Sequence, residues 1–289
     1  MTHGDLIKKL RKERQLSQAQ LAAGISSRTT LSTFENNHSR VSSDILFAYL
    51  ERMNISIQEY LFYFNGNTAT EKERITQYFY DNVVKRTDQE IMKRIHQYRT
   101  RYKNSNDFYF CCLSIELKLF LNHKHQHAVF DVAEDVALVK RYLERVQQWG
   151  HFEMALFSNC LYIFSSTYIR GTFAVLLKRT QIISEIDTYQ NDLAVFLNNC
   201  IILAFERRQL TDVRFFTREL CKRSAQTPRK AYDRMMGTFY SELLNSIETE
   251  TWSTPETIQQ FKRLGFTEHA AELAAFAKKT QAAFCPQSA

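Results

Sequence analysis

Residues able to do chemistry gather at two places in this 289-residue chain. The first is a run of small hydroxylated residues beside one long cation: Arg28, Thr29, Thr30 and Thr33 within "SSRTTLSTFENN". On a helix with Leu31 and Phe34 turned inward, Arg28, Thr29 and Thr33 fall on the outward face. Arginine offers a two-pronged donor to a guanine edge and threonine a methyl group to thymine, so this face has the chemistry of major-groove readout. The second is a set of asparagines in apolar runs: Asn159 in "ALFSNCLYIF", and Asn198 and Asn199 in "AVFLNNCIILAF". A buried amide left unpaired costs about 1–3 kcal/mol, so each needs a partner. An amide carries donor and acceptor together, and it suits either the backbone of a bound peptide or a neighbouring helix. In the peptide alternative Asn159 and one of the later pair clamp the ligand, with Tyr162, Phe196, Ile202 and Phe239 as apolar walls. The spacing Ala-x-Phe-x-Asn matches Asn198 to Asn159, whereas Asn-Cys matches Asn199. Arg170 either neutralises a peptide carboxylate or is simply an exposed arginine.

Other candidates carry less. "HKHQH" sets His123 and His127 at helical i, i+4 spacing, a pattern that can grip a metal. Only Asp131 lies near enough in sequence to be a third ligand, and the stretch reads as a loop, so neither a metal nor a cofactor is expected. GxxxxGK, GxGxxG, HExxH and GxSxG are all missing, and a non-enzymatic protein is expected. Cys111, Cys112, Cys160, Cys200, Cys221 and Cys285 form no CxxC pair and sit mostly in apolar runs, the usage of buried small hydrophobes in a reducing compartment. No leader-like start and no run of about 18–20 apolar residues is present, which leads us to expect a cytoplasmic protein without a membrane span.

These residues need elements to hold them. With 7 Gly and 3 Pro in the whole chain, few positions can supply hairpin turns, and an all-α fold is expected. "DLIKKLRKER" places Leu6, Ile7 and Leu10 on one face of a basic first helix. Ser17 caps a second helix, "SQAQLAAG", closed by Gly24; Ser26 or Ser27 caps a third, "SRTTLSTFE". A fourth runs from about Ser43 to Met53 and a fifth lies in "ISIQEYLFYF". Short helices with a tight joint between the second and third describe a helix-turn-helix domain, in which the third enters the major groove. Charge agrees: the chain is +7, and its first 40 residues hold seven Lys and Arg against three acids.

The run "LRKERQLSQAQLAAGISSRTTLSTFENN" followed by "MNISIQEYLFYFNGN" resembles the Cro/C1-type helix-turn-helix, and more narrowly the Rgg (GadR/MutR) regulators of Gram-positive bacteria. The resemblance covers about residues 5–67, and its most diagnostic parts are the short turn and "LSTFE". It implies that Gln18 meets phosphate, that Arg11 and Glu35 pair across the first and third helices, and that Arg28, Thr29 and Thr33 face bases. Asn36 and Arg40 match backbone-contacting positions. The expected DNA-binding set is therefore Arg11, Gln18, Arg28, Thr29, Thr30, Thr33, Asn36 and Arg40. Some members link their DNA-binding domains through a cysteine in the fourth helix; "SSDILFAYLERMN" has none, so no such disulfide is expected.

"FNGNTATEKER", residues 64–74, has linker composition, and a boundary near residue 66 is expected, giving a DNA-binding domain over 1–66 and a second domain over 67–289. The basic stretch from Lys85 to Lys103 (Lys85, Arg86, Lys93, Arg94, Arg99, Arg101, Lys103) reads as a solvated helix face. Beyond it "ALFSNCLYIF", "AVFLNNCIILAF" and "MMGTFYSELL" recur about 40 residues apart, the period of a tetratricopeptide-like α-solenoid. The resemblance implies the same architecture, with a last helix over Pro255–Phe284 that caps the stack and joins a homodimer. It also implies a transcriptional regulator of double-stranded DNA with a roughly palindromic site, controlled by a short hydrophobic signalling peptide. The alternatives are a regulator answering to pH, metabolite or redox state, and a non-enzymatic interaction scaffold.

Overall fold

The computed structural model describes residues 1–82, 86–180 and 187–284. Lys85 and Cys285 lie outside the described residues. The chain divides into two compact units, Met1–Thr87 and Asp88–Ala289. Among the described residues there are sixteen α-helices and no strand.

The first unit holds α1 (His3–Glu13), α2 (Gln18–Ala22), α3 (Arg28–Glu35), α4 (Ser43–Arg52), α5 (Ile57–Phe64) and α6 (Glu71–Asn82). Hydroxylated caps start the first five: Thr2, Ser17, Ser27, Ser42 and Ser56 each accept a bond from a backbone N–H in the first turn. The helices are too short to stand alone in water, and a shared core holds them: Leu6, Ile7, Leu10, Leu21, Leu31, Phe34, Tyr49 and Leu50. A Cβ at Gly4 would collide with the Phe34 carbonyl, so glycine is what lets the start of α1 close on the end of α3. The turn through Gly66 and Asn67, both at positive φ, follows α5 within the composition break at 64–74. Helix α6 begins inside that stretch, at Glu71, and clusters with the first unit.

The second unit holds α7 (Asp88–Ser105), α8 (Phe108–His125), α9 (Ala133–Arg145), α10 (His151–Asn159), α11 (Ser166–Thr180), α12 (Asp187–Glu206), α13 (Leu210–Ser224), α14 (Ala231–Glu248), α15 (Glu256–Arg263) and α16 (Thr267–Phe284). Packing is between near neighbours, as in a solenoid: α7 on α8, α10 on α12, α12 on α13, α13 on α14, α14 on α15 and α15 on α16. Phe196 on α12 stacks between Phe157 of α10 and Phe173 of α11, at 5.6 and 5.8 Å between ring centres. A Cβ at Gly237 would lie 2.7 Å from Cys221 Sγ, so α13 and α14 approach closely there. The expected single helix over Pro255–Phe284 is two. It breaks at Gly265, whose φ of 88° only glycine adopts easily, with Phe266 bonding back to the Phe261 carbonyl at 3.0 Å.

Candidate functional site

In the first unit the geometry is built around one buried ion pair. Arg11 Nε and Nη2 donate to Glu35 Oε1 and Oε2 at 2.6 and 2.7 Å, and Arg11 Nη1 donates to the Leu16 carbonyl at 2.6 Å. Gln18 Nε2 adds a bond to Glu35 Oε2 at 2.9 Å, so α1, α2 and α3 meet on one carboxylate. Burial by itself raises the Glu35 pKa; the hydrogen bonds from Arg11 and Gln18 outweigh it and hold the carboxyl below its usual value. Arg11 is 7 % exposed with each of its nitrogens engaged, so it leaves the expected DNA-facing set and acts as the clamp that places α3.

The face so positioned is open. Ser27 caps α3 by accepting from Thr30 N at 2.9 Å, and its hydroxyl also meets that of Thr30 at 2.8 Å. Arg28 and Thr29 are exposed at the first turn of α3, and Thr30 and Thr33 are half-buried. Thr33 donates its hydroxyl back to the Thr29 carbonyl. Ser26, also considered for the cap, instead meets the Tyr49 hydroxyl at 2.6 Å and ties the turn to α4. Arg52 donates to the Leu21 carbonyl at 3.1 Å and to that of Ala23, gripping the end of α2. Asn36 is exposed and accepts from Lys8 Nζ at 2.9 Å; Arg40 is exposed beyond it. The expected α2 is shorter than "SQAQLAAG", because Ala23 leaves helical geometry at ψ 122° and Gly24 follows at φ 70°.

In the second unit helices α12, α14 and α16 line an open cavity of about 480 Å³. Val195, Ile202, Met236, Phe239, Leu273 and Phe276 give it apolar walls, and Asn191, Asn198, Asn199, Tyr232, Asp233, His269 and Glu272 give it polar groups. Asn198 donates to the Ala194 carbonyl one turn back at 2.8 Å, and its Oδ1 is buried without a donor among the described residues. Asn199 reaches across the repeat to the Ser158 carbonyl at 3.4 Å. Asn198, Asn199, Ile202 and Phe239 thus line one cavity, without the Asn159 that was expected to clamp with one of the two later asparagines.

Four expected residues lie outside this cavity. Asn159 donates to Glu116 Oε2 of α8 at 2.9 Å, so it joins helices, the alternative that its residue type left open. Phe196 is wholly buried in the aromatic stack and offers no wall. Arg170 lies over the Phe215 ring at 4.9 Å and is ion-paired to the buried Asp212, which leaves its charge already balanced. Tyr162 stacks on His123 at 4.8 Å, with its hydroxyl buried and unbonded among the described residues. Burial drives the pKa of Glu116 up to about 8, so near neutrality this carboxyl is mostly protonated.

Tyr232, Asp233, His269 and Glu272 escaped the sequence reading. They stand on α14 and α16, more than thirty residues apart, and no periodicity links them. The histidine cluster comes apart: His123 and His125 end α8, with His123 3.5 Å from Glu206 and His125 2.7 Å from Asp88, and His127 follows beyond the helix. Cys111, Cys112, Cys160 and Cys200 are buried in the apolar core, where desolvation raises their thiol pKa values, and Cys221 is half-buried. Lys93, Arg94, Arg99 and Lys103 are exposed along α7, and Arg101 lies over the Phe110 ring at 4.1 Å. No described helix is long and apolar enough to cross a membrane.

A capped helix-turn-helix unit joined to a stack of helix pairs defines a class, the helix-turn-helix transcription regulators with a helical-repeat domain. The family model for the C-terminal domain of the HTH-type transcriptional regulator Rgg matches residues 92–275, and a helix-turn-helix model matches residues 7–60. The chain belongs to the Rgg family of transcriptional regulators.

Solved structures share the fold over nearly the whole length. A Listeria monocytogenes EGD-e protein assigned as a transcriptional regulator is similar with a TM-score of 0.81 at 17% identity, covering 96% of each chain. The Streptococcus dysgalactiae SHP pheromone receptor Rgg2 is similar with a TM-score of 0.70 at 19% identity, covering 96% of this chain and 98% of that one. A bacterial peptide pheromone/receptor complex gives a TM-score of 0.69 at 14% identity, with 96% and 98% covered. At these identities the likeness is one of fold.

Proposed function

We propose that this protein is a homodimeric, cytoplasmic regulator that reads double-stranded DNA with α3 and is controlled by a short hydrophobic peptide bound in its repeat domain. The observation that carries the first half is the exposed Arg28 and Thr29 at the capped start of α3, held by the buried Arg11–Glu35 pair. Arg28 takes a guanine edge, the threonine methyl groups meet thymine, and Gln18, Asn36 and Arg40 fix the register on phosphates. Two protomers then demand a roughly palindromic site, with half-sites about one helical turn apart or a multiple of it. Supporting the second half is the cavity at Asn198 and Asn199: apolar walls with a few amide groups suit an extended apolar peptide. Structural neighbours that are receptors of an SHP pheromone and of a peptide pheromone are consistent with this choice over a pH, metabolite or redox signal. Such a ligand acts only through unequal affinity for two states of the protein.

The test is a mobility-shift assay on the DNA upstream of the gene. Wild type is expected to shift it and Arg28→Ala to lose most of the shift. No shift by wild type, or an unchanged shift by the variant, removes the DNA-reading assignment. Isothermal titration with short hydrophobic peptides encoded beside the gene tests the second half, and the absence of any binding heat contradicts it.

A further inference from the structure

The cavity has a sign. Its polar lining includes two carboxyl groups, Asp233 and Glu272, and no lysine or arginine, in a chain whose formal charge is +7. Glu272 leans toward His269, 3.4 Å from its Nδ1. Asp233 has no hydrogen-bond or ion-pair partner among the described residues, and Lys230 acts on it only through space. Burial raises the Asp233 pKa, with the Lys230 charge working the other way, the mark of a carboxylate that lacks a close counter-charge. The buried Oδ1 of Asn198 is another acceptor without a donor. Asp233, an acceptor without a donor beside a second carboxylate, matches one chemical group, an ammonium, which brings three N–H bonds and the missing positive charge.

Building on the peptide reading of the previous subsection, we infer that the cavity selects ligands presenting an ammonium group on an apolar body: a peptide whose free amino terminus or lysine enters it, not one that enters by an acidic end. The apolar walls at Val195, Ile202, Met236, Phe239, Leu273 and Phe276 take the aliphatic body, and Asp233 receives the charged head. Selection then rests on exclusion as much as attraction, because a ligand carboxylate would face Asp233 and Glu272 across a partly dehydrated space.

The experiment uses full-length protein and a synthetic pool of short peptides randomised over Leu, Val and Phe. The pool is made with amidated carboxyl termini in three forms: free amino terminus, N-acetylated, and N-acetylated with one lysine. Retained peptides are separated with the protein by gel filtration and counted by mass spectrometry. Wild type is expected to retain the free-amine or the lysine form about tenfold over the neutral acetylated form, the size of one charge-assisted bond. Whichever is retained identifies the source of the ammonium. The double variant Asp233→Asn with Glu272→Gln is expected to retain all three forms alike, since both replacements keep shape and remove charge. Equal retention of charged and neutral forms by wild type overturns the inference while leaving the peptide reading in place. Retention of no form at all contradicts the peptide reading itself, and the inference falls with it.

Discussion

Arg11 and Glu35 meet in a two-pronged ion pair, 2.6 and 2.7 Å across, inside the first unit, with Glu35 only 1 % exposed. The pair does no reading of its own. It fixes the end of α3 against α1, and through Gln18 it also holds α2, so the outward face of α3 is presented in one orientation.

Removing one partner leaves a buried charge alone. Arg11→Ala is expected to destabilise this unit by about 3–5 kcal/mol, whereas the double change to Arg11→Met with Glu35→Met costs much less. Differential scanning calorimetry of the two variants checks the order. The pair also sets a pH dependence. The folded pKa of Glu35 lies below its usual 4.5, so its contribution is present above that value and is lost as pH falls through the folded value. Thermal unfolding followed below and above pH 4.5 should show a larger loss in wild type than in the double methionine variant, in which Asp5 and Glu59 still titrate below their usual values.

DNA contacts separate by kind. Arg28→Ala is expected to weaken binding about ten- to a hundredfold and to relax preference at one base pair. Arg40→Ala is expected to weaken all sequences alike and to lower the slope of log affinity against log salt by about 1. Fluorescence anisotropy at several salt concentrations distinguishes them.

Glu116 gives the opposite pH sign to Glu35. Its folded pKa is raised to about 8, so its protonated form favours the fold at low pH, and that advantage drains away as pH rises from the unfolded value toward 8. Glu116→Gln keeps an oxygen for Asn159 and cannot ionise. Its stability relative to wild type should therefore grow by a few kcal/mol between about pH 5 and pH 8, read from denaturant midpoints at each pH.

The cavity offers a blocking test. Val195 lines it while remaining 49 % exposed, so a larger side chain there need not disturb the core. Val195→Trp is expected to change stability by less than about 0.5 kcal/mol and to abolish peptide binding by titration.

What was legible in the sequence was local. Ser17 and Ser27 announce helix starts because a cap acts within three residues, and Leu31 and Phe34 announce the buried face because helical periodicity is short-ranged. The repeat period near Asn159 and Asn198 was legible for the same reason, since each repeat packs on its neighbours. Asn159's partner was not: Glu116 stands 43 residues away in a helix buried nearly all round, where no polar face hints at what it meets. Phe196 illustrates the same limit, because an apolar residue reads alike whether it lines a cavity or fills a core. Asp233 neighbours Asn198 because α14 packs beside α12, and Glu272 joins them because the chain breaks at Gly265 and α16 lies beside α14.

The measurement that bears most directly on the whole account is promoter-reporter output from the upstream DNA in cells grown with and without the peptide. The account predicts a change in output on adding peptide, absent with Arg28→Ala, which cannot read the site, and absent with Val195→Trp, which cannot receive the ligand. A peptide response that survives either substitution would contradict it.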